Sequence, residues 1–464
     1  MAGRKLHPSI LREYDIRGTV DKTFEALDVE AIGRGFASIA RERVGHLATI
    51  CVGYDGRISS PELEAALVKG MTAASANVVR IGRGPTPMLY FATHALNSDA
   101  GVMVTGSHNP PDQNGLKMVL KTDSFFGADI QALGKRVEAG DYHSGTGSVR
   151  DQSVTTRYVD RLAQDARGGR DLKVVWDPGN GASGEVLDLL VPKLPGRHTI
   201  INGEIDGRFP SHHPDPTVEA NLAQLKDAVK RNGCDLGIGL DGDGDRIGVI
   251  DSQGRVLWGD QILVILAREI LARRPGQPIV GDVKASRVLF DEVTRAGGKP
   301  VVWKTGHSLI KTRMKEIGAP IAGEMSGHIF FSDGYYGYDD ALYAGVRLLS
   351  ILATSDQSLA QMRDALPQMF NTPEIRFDCA EERKFEVVDE VKARLARQSG
   401  IKVHDIDGVR VESPDGWWLL RASNTQAVLV GRAESTTADG LKRLTSILGS
   451  ELRASGIEPP ADFA

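Results

Sequence analysis

Cysteine is scarce in this chain, and so is long apolar sequence. Three of the 464 residues are cysteine, Cys51, Cys234 and Cys379. They are far apart and odd in number, so they offer neither zinc-ligand spacing nor a disulfide framework; buried thiols in a reducing cytoplasm are expected. No apolar run nears the roughly 20 residues of a membrane-spanning helix, Ile262 to Ala267 being typical of the longest. The first residues, Met1 to Pro8, lack the apolar core of a secretion signal. Positive charge is not in excess either: the net charge of −5 argues against general nucleic-acid binding. No G-x-G-x-x-G follows a strand-like run, which removes support for a dinucleotide fold. Gly179 to Gly184 has Walker-like glycine spacing, but Glu185 and Val186 stand where Lys and Ser/Thr are required. These absences leave a cytoplasmic monomer with no membrane or nucleic-acid partner as the expectation.

What is present is an ordinary globular composition, 41% hydrophobic and 25% charged, in a chain too long for one core. Strand–helix–strand units recur. Ala48 to Gly53 reads as a strand, followed by a helix from Ser60 and a strand Asn77 to Ile81. Lys173 to Trp176 opens a similar unit, with a helix near Glu185 to Val191. Ile279 to Gly281 opens a third, with a helix near Ser286 to Ala296 and a strand Pro300 to Trp303. Such units imply parallel pairing and α/β layers. After Pro367 the pattern changes. A helix near Lys384 to Gln398, four short strands between 402 and 434 and a final helix from Thr437 predict an antiparallel sheet with helices on one face. The fold expected is therefore three related α/β domains (1–154, 155–254, 255–367) and a C-terminal α+β domain (368–464).

Two motifs carry chemistry. Thr105-Gly106-Ser107-His108-Asn109-Pro110 follows the apolar run Val102 to Val104, so Ser107 sits in a loop at a strand end. A serine hydroxyl needs activation to react, and His108 and Lys117 are close in sequence. The esterase elbow G-x-S-x-G does not fit, because Asn109 replaces its second glycine. Alone, the hexapeptide does not separate a reactive serine from one bonded to its own backbone. Asp241-Gly242-Asp243-Gly244-Asp245-Arg246 lies between apolar runs, and in extended chain the alternate aspartates face one side. Three carboxylates so placed would repel one another without a cation, and an all-oxygen set suits a hard ion such as Mg²⁺. An EF-hand is excluded by Arg246 and Ser252 at its glycine and glutamate positions.

Together these motifs resemble the α-D-phosphohexomutase superfamily, most closely its bacterial phosphomannomutase/phosphoglucomutase branch. Gly323-Glu324-Met325-Ser326-Gly327-His328 looks like that family's sugar-recognition loop, and Arg421-Ala422-Ser423-Asn424-Thr425 like its phosphate-binding loop. The resemblance implies that Ser107 carries a phosphoryl group. One Mg²⁺ would be held by Ser107, Asp241, Asp243 and Asp245. Glu324 and Ser326 would bind sugar hydroxyls, and Arg421, Ser423, Asn424 and Thr425 would grip the phosphate that is not transferred. Tyr14-Asp15-Ile16-Arg17-Gly18 also matches; Tyr14 would meet substrate and Arg17 would steady the moving group. Lys117 is either a charge clamp or a proton shuttle. His307 and His328, both read as loop residues, fall on family motifs, with Lys284 and Arg246 completing a basic lining; Arg246 alternatively pairs with its neighbouring aspartates. The implied activity is reversible interconversion of hexose 1-phosphates and 6-phosphates of mannose and glucose in a central cleft. Glucose 1,6-bisphosphate would be both intermediate and activator. A phosphoglucosamine mutase and a catalytically silent sugar-phosphate-binding protein are the alternatives. Met325 bears on the first, since phosphoglucosamine mutases usually carry Gln there.

Overall fold

The computed structural model describes residues 3–424 and 427–460. Four sheets follow one another along the chain. The first has the order Ile16–Thr19, Gln113–Leu120, Ala100–Val104, Thr49–Tyr54, Asn77–Arg83, Val149–Asp151, with Asp123–Ser124 added beside Gln113–Leu120. Thr49–Tyr54, with Asn77–Arg83 and Ala100–Val104 on either side, forms a parallel core. Ala100–Val104 then turns back as the antiparallel strand Gln113–Leu120.

The second and third sheets repeat this plan. Lys173–Asp177 lies parallel to Arg197–Ile200 and Leu236–Leu240, and Leu236–Leu240 returns as antiparallel Ile247–Asp251. Pro278–Asp282 lies parallel to Lys299–Trp303 and Ile321–Gly323, and Ile321–Gly323 returns as antiparallel Ile329–Phe331. The helix-linked strands are parallel, as the repeated units imply, and each sheet adds an antiparallel return because a short loop can join only antiparallel neighbours. The fourth sheet is antiparallel throughout, with Gly416–Ala422 and Val428–Ser435 at its centre and helices Lys384–Leu395 and Ala438–Ala454 packed on it.

These returns place the site. The loop joining the third parallel strand to its return is 105–112 in the first domain, 241–246 in the second and 324–328 in the third. Its counterpart in the fourth domain joins Ala422 to Val428. The serine, aspartate and Glu324 motifs are therefore hairpin turns at corresponding positions, the Arg421 motif opens the central hairpin of the fourth sheet, and Tyr14–Gly18 leads into the edge strand Ile16–Thr19.

One apolar core is shared. It runs from Cys51, Met88 and Phe91 through Trp176 and Ile238 to Leu263 and Phe331, so the first three domains interlock. The fourth keeps its own core around Val387, Trp418 and Leu448, and meets the third through Val283, Trp417 and Leu419. Cys51, Cys234 and Cys379 are buried and unbridged. No helix among the described residues is long and apolar enough to cross a membrane.

Candidate active site

Ser107 adopts a left-handed backbone, φ +49°, unusual for a residue with a side chain. The turn aims its hydroxyl out of the first domain. Ser107 Oγ donates to Asp241 Oδ2 at 2.9 Å and lies 3.1 Å from His108 Nδ1. The two loops fit only because residue 242 is glycine: a Cβ there would stand 2.4 Å from the Ser107 carbonyl oxygen.

The aspartates converge as the alternation predicts. One carboxylate oxygen from each lies within 4.8 Å of the other two, and all three residues are buried. Like charges at 4.8 Å cost about 3.5 kcal/mol per pair at an effective dielectric of 20. Three such pairs approach the ~5–15 kcal/mol net stability of a whole domain, so positive partners are obligatory. Lys117 is one. Its ammonium donates to Asp243 Oδ2 at 2.7 Å and to Asp245 Oδ2. Burial and the neighbouring carboxylates push Asp241 well up. Burial opposes ionisation of Asp243 and Asp245 too, but Lys117 outweighs it and holds both below the usual carboxylate range. The same attraction, against burial, keeps Lys117 charged far above its ordinary range. That favours a charge clamp over a proton shuttle for Lys117.

The triad is tied to the first domain by groups the sequence did not flag. Thr86 donates its hydroxyl to Asp243 Oδ2 at 2.5 Å and its N–H to the Asp243 carbonyl at 2.7 Å, and Thr105 Oγ1 adds a contact at 3.2 Å. Asp241 Oδ1 accepts the N–H groups of Asp245 and Arg246, which curls the loop. Asp243 Oδ1, by contrast, is buried with no hydrogen-bond partner. A buried carboxylate oxygen left unpaired costs about 1–3 kcal/mol or more, and an all-oxygen donor set with such an atom fits a hard divalent cation.

Around this centre, Arg17 donates to Asp15 at 2.7 Å and to Asn109 Oδ1 at 2.8 Å, which sets it beside the serine loop. Arg246 is partly buried and its backbone bridges to His328; its Nε lies 3.4 Å from His328 Nε2. His328 Nδ1 lies 3.0 Å from Glu324 Oε2 and 3.1 Å from Ser326 Oγ, and its Nε2 is 3.2 Å from Asp245 Oδ1. Burial opposes its charge, yet the Asp245 and Glu324 carboxylates prevail and raise it to about 9. His108 and His307 go the other way. Burial first, then Arg246 and Arg17 for His108 and Lys311 and Lys117 for His307, hold them well below 6.5 and neutral.

One loop residue proves to be helical. His307 is not in a loop: it is the first residue of the helix His307–Ile317, which starts after Gly306 (φ +131°), where a Cβ would strike the Tyr14 ring. His328 stays in the loop 324–328, one residue before the return strand Ile329–Phe331, and bridges to Arg246. The helix start holds His307 against its neighbours, 5.7 Å from the His328 ring and 6.1 Å from Tyr14. Both its ring nitrogens are buried without a partner.

The fourth domain approaches from the far side. Arg421 is buried and its Nε lies 3.1 Å from Asp407 Oδ2, while Asp407 also accepts the Thr305 N–H at 3.0 Å. Asn424 donates to Tyr14 Oη at 2.5 Å, and Tyr14 donates to the Thr305 carbonyl at 2.8 Å. Tyr14 therefore joins the first, third and fourth domains. Ser423 closes the hairpin: its N–H bonds Val428 and its carbonyl takes Lys384 Nζ at 2.6 Å. Its amide is thus committed to the turn and not free for an anion. Thr425 lies outside the described residues. Lys284 pairs with Glu374 Oε2 at 3.0 Å on the seam between the third and fourth domains.

Direct contacts thus link Ser107, His108, Lys117, the three aspartates, Arg246, Glu324, Ser326, His328 and His307. Arg17 adjoins through Asn109. Arg421, Asn424 and Lys284 form a second group.

The chain matches four family models, described as phosphoglucomutase/phosphomannomutase α/β/α domain I over residues 8–143, domain II over 156–254, domain III over 258–370 and the C-terminal domain over 374–448. A phosphomannomutase/phosphoglucomutase of Pseudomonas aeruginosa is 42% identical over 460 residues, covering 99% of this chain and 98% of that one. A phosphoglucomutase of Neisseria gonorrhoeae is 40% identical over 438 residues, covering 94% and 95%. The crystal structure of a phosphoglucomutase/phosphomannomutase family protein from Burkholderia thailandensis superposes with a TM-score of 0.91 at 41% identity, covering 97% and 98%.

Proposed function

This chain belongs to the phosphoglucomutase/phosphomannomutase family, and from that premise we propose which residues carry each part of the reaction. The enzyme is a phosphohexomutase, interconverting the 1-phosphate and 6-phosphate of mannose and glucose.

Ser107 is the phosphoryl carrier. The P–O bond to Ser107 Oγ breaks as a bond forms to the free O6 or O1 of the bound hexose phosphate, whose hydroxyl proton passes to neutral His307 and is returned to the departing sugar oxygen in the second transfer. The resulting 1,6-bisphosphate turns round, and its other phosphoryl group returns to Ser107. The observation that carries this reading is the contact of Ser107 Oγ with Asp241 inside a buried triad. Asp241, Asp243, Asp245 and the Ser107 oxygen would hold one Mg²⁺, which when bound supplies positive charge beside the moving group.

The protein's own charges act from fixed positions. Lys117, Arg17, Arg246 and cationic His328 stabilise charge on the transferring phosphoryl. None of them needs to lose a proton. Neutral His307, with both ring nitrogens unpartnered, has a lone pair free for the substrate hydroxyl. Glu324 and Ser326 take sugar hydroxyls, while Arg421, Asn424 and Lys284, with Thr425 by resemblance, hold the distal phosphate. Asp407 and Glu374 keep those cations in place, and Tyr14 spans the mouth of the cleft.

The silent binding protein is the weaker reading, since Ser107 and all three aspartates are present and in contact. The seams between domains fall at 154/155, 254/255 and 367/368, near the ends of the family matches. A cytoplasmic monomer suits three buried thiols and a net charge of −5.

The test is label transfer. Incubation with ³²P-labelled glucose 1,6-bisphosphate should label one peptide, the one containing Ser107. Label elsewhere, or turnover without a labelled enzyme, would refute the carrier.

A further inference from the structure

Arg57 is the largest buried cation near the serine loop to which the reaction above gives no part. Its side chain is fully buried. It follows the first strand of the parallel core, where Asp55 Oδ2 accepts the Gly106 N–H at 3.0 Å and Asp55 Oδ1 accepts the Arg57 N–H at 2.9 Å and the Ser60 hydroxyl at 2.5 Å. From that anchored turn the guanidinium donates to four main-chain carbonyls: Ser107 at 2.7 Å, Asn109 at 2.6 Å, Pro110 at 2.6 Å and Gln113 at 2.9 Å. One cation thus gathers the carbonyls of the whole phosphoserine loop to one side. With its carbonyl held there, Ser107 sits at φ +49° with its hydroxyl turned toward Asp241.

The other face of the guanidinium lies over Phe209 of the second domain, 5.1 Å from the ring centre. Phe209 is also left-handed, at φ +51°, a costly conformation for an aromatic residue that persists only when its surroundings impose it. The segment around it is pressed onto the Arg57 turn. A Cβ on Gly207 would lie 2.6 Å from Arg57 Cα, and one on Gly56 would lie 2.3 Å from Ile205. Two strained residues, one in each domain, are therefore held against the same arginine.

We propose that Arg57, seated on Phe209, is a positioning residue for phosphoryl transfer: it fixes the Ser107 loop in register with the aspartate loop of the second domain. Substrate is not among its contacts. It acts through the direction of Ser107 Oγ, so the inference rests on Ser107 being the carrier. Only a planar fork serves four carbonyls at once; a lysine keeps the charge and loses the geometry.

The experiment compares wild type, Arg57→Lys and Phe209→Ala for kcat, KM, melting temperature and phosphoryl content of Ser107 by mass spectrometry. A misdirected nucleophile costs rate rather than affinity, so Arg57→Lys should lose about a hundredfold in kcat with KM within about threefold. Phe209→Ala should lose about tenfold in the same way. Folded Arg57→Lys with kcat within about threefold of wild type would overturn the proposal, as would a kcat loss equal to the loss of folded protein. If Arg57→Lys does not fold, Phe209→Ala decides alone, and unchanged kcat there overturns it. Wild type that never carries phosphoryl on Ser107 would instead sink the carrier; labelled wild type with fully active Arg57→Lys would sink only the clamp.

Discussion

Where the first domain meets the second, buried charge does the joining. Lys117 reaches two aspartates, Thr86 takes both ends of Asp243, and one apolar core runs through. Where the fourth domain meets the rest, the join is lighter. It has its own core, and Arg410 caps the Val283 and Ala285 carbonyls at 2.7 and 2.8 Å. It touches the first domain through Asn424 on Tyr14. The difference separates two tasks. The seam proposed to move phosphorus is cross-tied by buried charge and a shared core. The link from the fourth domain to the first is the weak part, because exchanging one tyrosine hydrogen bond for water costs little, a typical net value being about 1 kcal/mol, whereas its join to the third keeps Arg410, Lys284–Glu374 and the Val283 cluster. With Arg421 buried, we expect the fourth domain to swing away to admit substrate, pivoting at the segment near Pro367.

The sharpest way to break this comparison is to strike the first seam. Asp243→Asn removes charge from the triad and from the Lys117 clamp together. We expect a fall in kcat of about a thousandfold, or ~4 kcal/mol of transition-state stabilisation. EDTA should silence the wild type and added Mg²⁺ should restore it. A chelator-resistant wild type, or an Asp243→Asn enzyme near full activity, would mean the triad is structural.

A blow to the second seam should be milder and of a different kind. Arg421→Ala is expected to raise KM about tenfold and to lower kcat by a similar factor, because grip on the distal phosphate also orients the reacting oxygen. Small-angle scattering should show wild type contracting when glucose 1-phosphate binds and Arg421→Ala failing to contract. Unchanged kinetics with identical scattering profiles would remove the closing role.

The smallest effect expected concerns the sugar lying between the seams. Glucose and mannose differ only at C2. If Glu324 and Ser326 hold O3 and O4, no identified group reads O2. Glucose 1-phosphate and mannose 1-phosphate should then give kcat/KM within about tenfold, a gap of ~1.4 kcal/mol or less, with glucosamine 1-phosphate much slower. A bias above a hundredfold between the neutral sugars would show that the 324–328 loop reads more than this.

Much of this was legible locally. An apolar run, a glycine-marked loop and a second apolar run announce a strand, a turn and a strand, so Ser107, the aspartates and Glu324 could be placed on turns without coordinates. The repeated units and the changed C-terminal pattern gave the layering. What stayed hidden depends on partners distant in sequence. Thr86 meets Asp243 across 157 positions, and Arg57 meets Ser107 across 50. Neither contact leaves a periodicity. His307 looked like a loop residue because Gly306 signals a break, and the same break serves as well to begin a helix. That the turns of the first three domains occupy one topological position is a property of strand order, which alternation of residue types does not encode.

Those four turns have a geometric consequence. Each begins and ends on adjacent strands of its own sheet, so its ends are held in place by ladder hydrogen bonds. They behave as the fixed jaws of a caliper. A caliper responds first to the distance between the ends of what it holds, with the sides left to the Glu324 and Ser326 contacts. If, as proposed, one phosphate is gripped at the far jaw while another meets Ser107, the length from O1 to O6 becomes the quantity measured. Reversal of the ligand leaves that length unchanged, and the jaws therefore close on either orientation.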